Sequence, residues 1–430
     1  MILKSKLLFL LILFPVASLF AQNVESFEVN GLKVIFKQNT ANDIVSANMY
    51  FRGGVSLLDE HQAGLENLTL IVAQKATKNY SKEKLNSELE SMNSQINSGS
   101  NLDYSSLNLL CVKQNFDKSW NIFSDIILNP LFSDEDLKLE KEKMIANVKQ
   151  VNDNPDAYLQ KLVNEEFYVD HPYSIGVNGT EATLSSFTTK DLSDFHSKRL
   201  KTSNMLLVVV GNISKSEIEN KVNASFGKLE KGNYQPVKLP EVMHNEPSIK
   251  ILNKELPTNY IQGTYSAPSR GTEDGYTMLI LNSILRDRVW EEVRTKRSLS
   301  YAPSSFYRAN FSNYGAIYVT AVDPDTTIKV MRAELEKIKN DPVTDIELKN
   351  KVRQFITFYY LGNETNQAQA NSLAFYELSG VGYKAVKDFL NHINKITPKD
   401  IQDVAKKYIK NLQFVLIGSP KSLEVSSFMY

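Results

Sequence analysis

The sequence predicts an α+β protein made of two tandem, structurally similar halves, each an α/β roll with an antiparallel-rich sheet and helices on one side. Three observations predict this class. The chain has 430 residues, more than one hydrophobic core usually organises. Strand-like and helix-like hydrophobic patterns alternate along it. A short pattern near the end of the first half returns 209 positions later, which indicates an internal repeat.

The composition is that of an ordinary folded protein. Hydrophobic residues make up 42% and charged residues 23%, and 49 Lys and Arg balance 49 Asp and Glu. This argues against extended disorder and against a nucleic-acid partner. A single cysteine, Cys111, and five histidines exclude a disulfide framework and a cysteine-rich zinc module. The apolar neighbours of Cys111 predict a thiol buried in the core.

Residues 1–21 have the pattern of a secretory signal peptide. Lys4 and Lys6 precede an apolar run at 7–14, and we expect cleavage after the small residue Ala21, although Leu19 departs from the small residue usual at the third position before the cut. No other segment approaches the roughly 18 consecutive apolar residues of a membrane span. We therefore expect a secreted chain without a membrane segment, periplasmic if the source is a Gram-negative bacterium.

Each element of the first half has a local signal. Asn30-Gly31 lies between two short apolar runs, which is the strongest short hairpin signal in a sequence. A continuous apolar run ends at Gly211, as expected of a buried strand. The predicted strands are residues 27–29, 32–36, 44–51, 104–112 and 205–211, and the predicted helices are 64–76, 81–92 and a helical region from 115 to about 152.

The repeat sets the predicted domain limits. Residues 189–191 (Thr-Lys-Asp) precede the strand that ends at Gly211, and residues 398–400 (Pro-Lys-Asp) precede a strand that ends at Gly418. The stretch between the halves is polar and proline-containing, as a linker is. The predicted domains are an N-terminal half at 22–235, a linker at 236–247 and a C-terminal half at 248–430.

The sequence lacks the short histidine motifs of zinc peptidases. There is no His-Glu-x-x-His and no His-x-x-Glu-His, and no two histidines lie four positions apart, as two ligands on one helix would. Each histidine is expected to be a surface or turn residue. Glu66, Glu291 and Glu292 are candidates for a general base, but their helical patterns predict exposed or ion-paired surface positions. A metal site would have to assemble from distant residues.

Across both halves, the sequence resembles the pitrilysin or insulinase family of zinc peptidases, whose motif is the inverted His-x-x-Glu-His, and specifically the subunits related to mitochondrial processing peptidase. The motifs that carry the resemblance are, in order, Asn30-Gly31, Gly53-Gly54, Gly64-Leu65, Ile96-Asn97, Asp103-Tyr104, Asp153-Asn154-Pro155, His171-Pro172-Tyr173, Thr189-Lys190-Asp191, Asn282-Ser283-Ile284-Leu285, Val293-Arg294-Thr295-Lys296-Arg297 and Leu299-Ser300-Tyr301. The resemblance implies half of a clamshell, with a zinc-bearing homologue of similar size as partner and unfolded peptides as substrates.

The zinc ligands of that family are missing at the matching positions. Asn67 and Ile71 stand where the family has its two histidines, and Leu70 stands where it has the general base. The distant glutamate ligand falls on Asn147, 76 positions beyond Ile71. Amide and aliphatic side chains replace neither the ligands nor the base. We therefore expect no cofactor on this chain, no peptide cleavage by it alone, and zinc only on the partner subunit.

Arg294 and Tyr301 match a second pair of the family, seven positions apart. The resemblance implies that they complete the zinc site of the facing subunit. Peptide hydrolysis builds negative charge on the carbonyl oxygen, which a guanidinium and a phenol hydroxyl aimed at it stabilise. From residue types alone, Arg294 suits a solvated helix end and Tyr301 a strand. The matched spacing favours the functional interpretation.

Ile96 and Asn97 lie in a segment similar to the edge strand on which relatives hold an extended peptide. The glycine pair before it is replaced by Asn93 and Ser94, and the glycine-rich loop of the family is shortened to residues 286–288. Three interpretations stay open: a non-zinc subunit that supplies its Arg/Tyr pair to a partner, a catalytically inactive structural or peptide-binding homologue, and a secreted protein of this fold with another ligand. Retention of the pair beside loss of the zinc set favours the first.

Overall fold

The computed structural model describes residues 24–310, 312–420 and 423–430. The predicted signal peptide at 1–21 lies outside these residues. The described chain forms two sheets and 14 α-helices. Among the helices of this part of the chain, none is both long enough and apolar enough to cross a membrane.

Six strands form the first sheet. Their bounds are β1 Val24–Val29, β2 Leu32–Gln38, β3 Ile44–Arg52, β4 Gln95–Ser100, β5 Tyr104–Val112 and β6 Met205–Gly211. They lie in the order β1-β2-β6-β3-β5-β4, and the β2–β6 pair is parallel. Asn30 and Gly31 have φ angles of 46° and 88°, the left-handed values that a two-residue hairpin turn requires. The predicted hairpin is therefore confirmed.

Eight helices belong to the first half. They are α1 Leu65–Ala73, α2 Lys82–Ser91, α3 Phe116–Leu128, α4 Asp134–Asp153, α5 Pro155–Phe167, α6 Glu181–Ser186, α7 Thr189–Arg199 and α8 Lys215–Phe226. Several begin at a side chain that accepts a backbone N–H of the first turn, as Ser81, Ser133 and Asn154 do. Proline at the first position of α5 adds a start signal, because its fixed φ suits a helix and its missing N–H costs nothing there.

The second sheet repeats the topology of the first. Its strands are β7 Ser248–Asn253, β8 Asn259–Ser266, β9 Ser304–Arg308, β10 Tyr314–Ala321 and β11 Gln413–Gly418. Their order, β7-β11-β8-β10-β9, matches β2-β6-β3-β5-β4 of the first sheet, and the β7–β11 pair is again the parallel one. Two structurally similar halves are therefore present, as the sequence predicts.

Six helices belong to the second half. They are α9 Glu273–Val289, α10 Pro324–Asn340, α11 Asp345–Leu361, α12 Asn366–Leu378, α13 Phe389–Lys395 and α14 Pro398–Tyr408. Thr397 and Asp400 form a reciprocal cap at the start of α14, as Thr188 and Asp191 do for α7. The short 3-10 turns are Gly54–Leu57, Glu60–Gln62, Lys113–Asn115, Pro172–Ser174, Thr202–Asn204, Tyr383–Lys387 and Val425–Ser427.

Each half contributes one helix that covers a face of the other half's sheet. The helices of each half cover one face of its own sheet, with α3 and α8 on the first sheet and α9, α10 and α14 on the second. The other face of the first sheet is covered by α12, where Leu373 packs near Leu206 and Val208. The other face of the second sheet is covered by α5, where Leu159 packs near Val415. Strand β6 is consequently buried along its whole length.

The connection between the halves is irregular. Residues 227–247, all within the described part, contain no helix or strand. The predicted linker at 236–247 falls inside this stretch, and its limits stay a prediction. Cys111 on β5 is 2% exposed in the first core, where burial raises the pKa of its thiol to about 12. The predicted core position of this thiol is confirmed.

Candidate functional site

The degenerate zinc positions lie on α1 and α4. Asn67 donates a hydrogen bond from Nδ2 to Oδ1 of Asn178, 3.0 Å away. Leu70 packs against the core of the first half, and Ile71 packs into an apolar cluster between α1, α4 and α7. Asn147 is exposed on α4. The space between the two helices is therefore filled by hydrocarbon side chains.

This set of residues does not fit a zinc ion. Structural and catalytic zinc sites use Cys, His, Asp or Glu ligands, and no such side chain stands at the four positions. Across the residues that the structure describes, no group of three or more His, Cys, Asp or Glu could hold a metal ion. The four positions therefore supply no ligand for a metal ion and no general base.

The prediction that Glu66 is an exposed surface residue is wrong. Glu66 is 4% exposed, accepts a hydrogen bond from Ser105 Oγ at 2.7 Å, and pairs with Arg199 Nη2 at 3.4 Å. Burial raises the pKa of its carboxyl, and the Arg199 charge offsets part of this rise. A carboxylate enclosed in this way joins α1 to β5 and α7 and is not placed to act on a ligand.

The helix-surface prediction holds for the other two candidate bases. Glu292 bonds to Lys296 at 2.7 Å and to Arg297. These hydrogen bonds, with the charges of the two cations, lower the pKa of Glu292 to about 2. A base with so low a pKa is a poor proton acceptor near neutral pH. Glu291 is exposed, so neither glutamate has the surroundings of a general base.

The structure brings Arg294 and Tyr301 together. Helix α9 runs directly into one π-helical segment, Trp290–Thr295, a rare geometry that often marks functional positions. Arg294 donates from Nη1 to the backbone oxygen of Tyr301 at 2.6 Å. Its guanidinium carbon lies 4.3 Å from the ring centre of Trp290 and 5.7 Å from that of Tyr301. Two aromatic rings and one backbone bond therefore hold this side chain in place.

The pair is accessible. The side chain of Tyr301 is 85% exposed, and that of Trp290 is 42% exposed. Within the described ranges, Arg294 has no carboxylate within ion-pair distance. The guanidinium and the phenol hydroxyl are thus left available to a group from outside the chain. Tyr301 lies in the loop before β9, so the alternative interpretation of it as a strand residue is wrong.

Trp290 was not identified from the sequence. A usable signal existed, because Trp290 precedes Arg294 by four positions on a helical pattern, which is the spacing at which side chains meet.

The structure also explains why the family's loop is short at 286–288. These residues continue α9 without a break.

Ile96 and Asn97 lie on the edge strand of the first sheet. Strand β4 pairs with β5 alone and ends the strand order. Ile96 packs against the first core, and Asn97 is exposed. Helix α1 lies beside this strand, with Gln74 Nε2 donating to Ser98 Oγ at 2.6 Å. The predicted edge position is therefore present, and peptide binding there stays a prediction.

The fold and the site together define a metallopeptidase-like chain whose catalytic ligands are lost. Residues 33–181 match the family model described as "Insulinase (Peptidase family M16)". Residues 186–355 match the model described as "Peptidase M16 inactive domain". The chain belongs to this family, as the resemblance implies.

Relatives and solved structures agree with this assignment. An "Uncharacterized zinc protease" of Rickettsia felis is 23% identical over 410 residues, covering 92% of this chain and 97% of that protein. The "Non-peptidase homolog YmxG" of Helicobacter pylori is 23% identical over 434 residues, covering 97% of this chain and 99% of that protein. Both relatives match nearly the whole of this chain, so the similarity to the family extends over both halves.

Two solved structures show the fold. The "peptidase M16 inactive domain from Pseudomonas fluorescens" superposes with a TM-score of 0.86 at 20% identity, covering 94% of this chain and 100% of that one. The "periplasmic protease PqqL from Escherichia coli" superposes with a TM-score of 0.79 at 15% identity, covering 94% of this chain and 49% of that one. The present fold therefore corresponds to one half of that larger protein.

We expect the purified mature protein to hold well under one zinc per chain and to cleave no unfolded peptide, because its ligand positions carry amides and hydrocarbons. Elemental analysis and a chelator-sensitive peptidase assay measure this. The matched variant restores the lost set with Asn67→His, Leu70→Glu, Ile71→His and Asn147→Glu, and it should gain zinc. One tightly held zinc in the unaltered protein would contradict the site assignment.

Proposed function

We propose that this chain is the non-zinc subunit of a heterodimeric metallopeptidase that degrades or processes unfolded peptides. The partner is a homologue of similar size that carries the zinc ion, and this chain supplies Arg294 and Tyr301 to the partner's active site. The proposal includes a secreted location, periplasmic in a Gram-negative source, and it rests on the family fold together with the geometry of the pair.

The observation that carries the proposal is the partly exposed, pre-positioned Arg294. Its guanidinium is fixed by Trp290 and by the backbone of Tyr301, yet it has no carboxylate partner among the described residues. The neighbouring cations Lys296 and Arg297 differ from Arg294, because both are paired to Glu292. An unpaired, ordered guanidinium beside an exposed phenol suits recognition of an anion or of developing negative charge.

The chemistry asked of the pair is limited to charge stabilisation. During peptide hydrolysis the carbonyl oxygen becomes negatively charged, and donors fixed near that oxygen bind the transition state more tightly than the substrate. Loss of one such donor typically costs on the order of a hundredfold to a thousandfold in turnover. Because these donors need no metal on their own chain, the proposal is compatible with the lost zinc ligands.

The architecture supports pairing with a homologue. The chain aligns with about half of the Escherichia coli periplasmic protease PqqL, since it covers 49% of that chain. Two units of this fold joined in one chain would give a protein of about that length. In a two-chain enzyme, the same arrangement would require a separate partner.

A second candidate function is peptide holding without catalysis. It is favoured by the unpaired edge of β4, to which an extended peptide could add as a further strand, and by the relative described as a non-peptidase homologue. Under this alternative, Arg294 and Tyr301 have no effect on any partner's turnover.

We expect co-expression with a zinc-bearing homologue from the same organism to yield a one-to-one complex. A lasting complex of two such chains should bury about 2,000 Å² or more, so it should survive size-exclusion chromatography with light scattering. The control is the same homologue with an unrelated secreted protein of similar size. If this chain remains alone in the presence of every such homologue, the subunit proposal fails and peptide holding by the single chain becomes the better account.

A further inference from the structure

A cavity of about 570 Å³ lies where the start of β5 in the first half meets helices α11 and α12 of the second. Its walls are mainly aromatic. They include Tyr104, Phe355, Phe358, Tyr359, Phe375 and Tyr376. Arg270, which lies between β8 and α9, is the one charged residue among the described residues that line it. Phe358 is 58% exposed at this cavity, so an apolar ligand could reach the aromatic walls.

Arg270 is a partly exposed cation that lies against aromatic rings. Its guanidinium carbon lies 4.1 Å from the ring centre of Phe375 and 5.7 Å from that of Tyr376. The Nε atom is buried without a hydrogen-bond partner. No carboxylate of the described ranges lies within ion-pair distance of this residue. A cation that is partly withdrawn from water and has no ion-pair partner is suited to bind an anionic ligand.

A second unsatisfied donor lies in the same cavity. Tyr376 is 3% exposed, and its buried hydroxyl makes no well-formed hydrogen bond. The Arg270 side chain lies beside this hydroxyl and can only donate to its oxygen, so the hydroxyl proton has no acceptor. Burial raises the pKa of this hydroxyl, and the nearby Arg270 charge offsets only part of the rise, so the group is an O–H donor at neutral pH. Buried hydroxyls without a partner are uncommon. A guanidinium and an O–H in one cavity match the oxygen atoms of a carboxylate.

The cavity connects to a row of asparagines on the first sheet. Asn371 lines the cavity, and its Oδ1 accepts hydrogen bonds from Asn48 Nδ2 at 3.1 Å and Tyr50 Oη at 2.8 Å. Asn48 is paired in register with Asn108 on β5, which is paired with Asn97 on β4. Side-chain amides both donate and accept, as the backbone of a peptide does. Asn48 is fully buried, so the row joins the edge strand to the cavity through the interior, and its two exposed members are Asn97 and Asn371.

We propose that this cavity binds the C-terminal residue of an unfolded peptide, with the terminal carboxylate on Arg270 and Tyr376 and an apolar side chain against the aromatic walls. The inference rests on the proposed function in taking the ligand to be a peptide, and it needs neither a metal nor the partner subunit. A fatty acid also joins a carboxylate to an apolar group. It lacks the backbone amides with which a peptide could hydrogen-bond to the exposed asparagines.

The test measures binding to the full mature chain alone. A ten-residue peptide that ends in leucine, labelled at its N-terminus, is titrated by fluorescence anisotropy with either a free C-terminal carboxylate or a C-terminal amide. The carboxylate form should bind at least about tenfold more tightly, since a desolvated charge pair is lost in the amide. Arg270→Gln should reduce the affinity for the carboxylate form to that for the amide. The matched control is Arg308→Gln, because Arg308 also lies over a ring, that of Phe306, but outside the cavity.

Equal affinity of the unaltered protein for the two peptides would overturn the proposal, as would a carboxylate preference that persists in Arg270→Gln. If that variant does not fold, Tyr376→Phe removes only the hydroxyl and should reduce the preference severalfold. Displacement of the labelled peptide by decanoate at lower concentrations than by the unlabelled peptide would assign the cavity to a fatty acid instead. These binding measurements use the single chain and depend on neither complex formation nor the turnover of a heterodimer. A failure of this proposal is therefore distinct from a failure of the proposed function.

Discussion

In the reconstituted heterodimer, Arg294→Ala and Tyr301→Phe should each lower peptide turnover by on the order of a hundredfold or more. Each substitution removes a donor placed for charge that develops only in the transition state, so kcat should fall while KM changes little. Zinc content and complex formation should stay unchanged, because Tyr301 is exposed and the only hydrogen bond of the Arg294 side chain in the described chain is the bond to the Tyr301 backbone. Steady-state kinetics with a quenched fluorescent peptide, together with elemental analysis, measure all three quantities.

The controls for this result lie on the same short segment. Lys296→Ala and Arg297→Ala remove cations that are paired to Glu292, and they should change turnover far less than loss of Arg294. If all four substitutions behave alike, the segment is a solvated helix end and the assignment of the pair is wrong. A loss confined to KM would indicate that the pair holds the peptide and has no part in catalysis.

Trp290 should behave as a positioning residue in that experiment. Its ring lies 4.3 Å from the guanidinium carbon of Arg294, so Trp290→Leu leaves the donor in place but removes the surface that fixes it. We expect a loss of turnover smaller than that of Arg294→Ala, in kcat and not in KM. A variant with unaltered kcat would show that the backbone bond to Tyr301 orients the guanidinium without help from the ring.

The elements with local signals could be predicted from the sequence. The Asn30-Gly31 hairpin is dictated by two adjacent residues that accept positive φ angles. Strand β6 could be found because it is apolar at every position, and its burial on both faces explains that pattern. The repeat could be found because the Thr/Asp cap of α7 recurs at α14. In each case the signal lies within a few residues of the structure that it predicts.

Features that depend on which surfaces meet could not be predicted. The amphipathic patterns of α5 and α12 give a buried face but not the identity of the sheet that covers it, so the exchange between halves is invisible in sequence. Glu66 looks like a surface residue because the partner that buries it, Arg199, is 133 positions away. The Arg270 cavity draws on β5, the segment before α9, and helices α11 and α12, and no single segment shows it.

The lost zinc set and the retained pair differ in how each could be recognised. The positions of Asn67, Leu70, Ile71 and Asn147 were assigned by resemblance, and the structure places them on α1 and α4. Arg294 and Tyr301 were also assigned by resemblance; the structure brings them into contact, and their catalytic role stays a prediction. The π-helical segment that carries Arg294 had no sequence signal, because one extra residue in a helical turn leaves the hydrophobic pattern nearly intact.

The exchange of helices predicts that the two halves unfold together. Leu373 on α12 is 3% exposed against the first sheet, and Leu159 on α5 is 1% exposed against the second. Leu373→Ala and Leu159→Ala should each lower the free energy of unfolding by about 2–5 kcal/mol, the usual cost of a cavity left by a buried leucine. Leu139→Ala on α4, where the side chain is 40% exposed, should change it by about 0.5 kcal/mol or less.

Urea unfolding followed with two probes decides whether each substitution destabilises both halves or only one. Of the two tryptophans, Trp120 is buried in the first core, so in a Trp290→Phe background its fluorescence reports on the first half alone. Circular dichroism in the far ultraviolet reports on the whole chain. We expect coincident transitions that shift together in both variants, because removing α5 contacts weakens the second sheet while α5 itself is anchored in the first half. Separate transitions, with the Trp120 signal unmoved by Leu159→Ala, would show that each half folds alone and that the exchanged helices dock on preformed sheets.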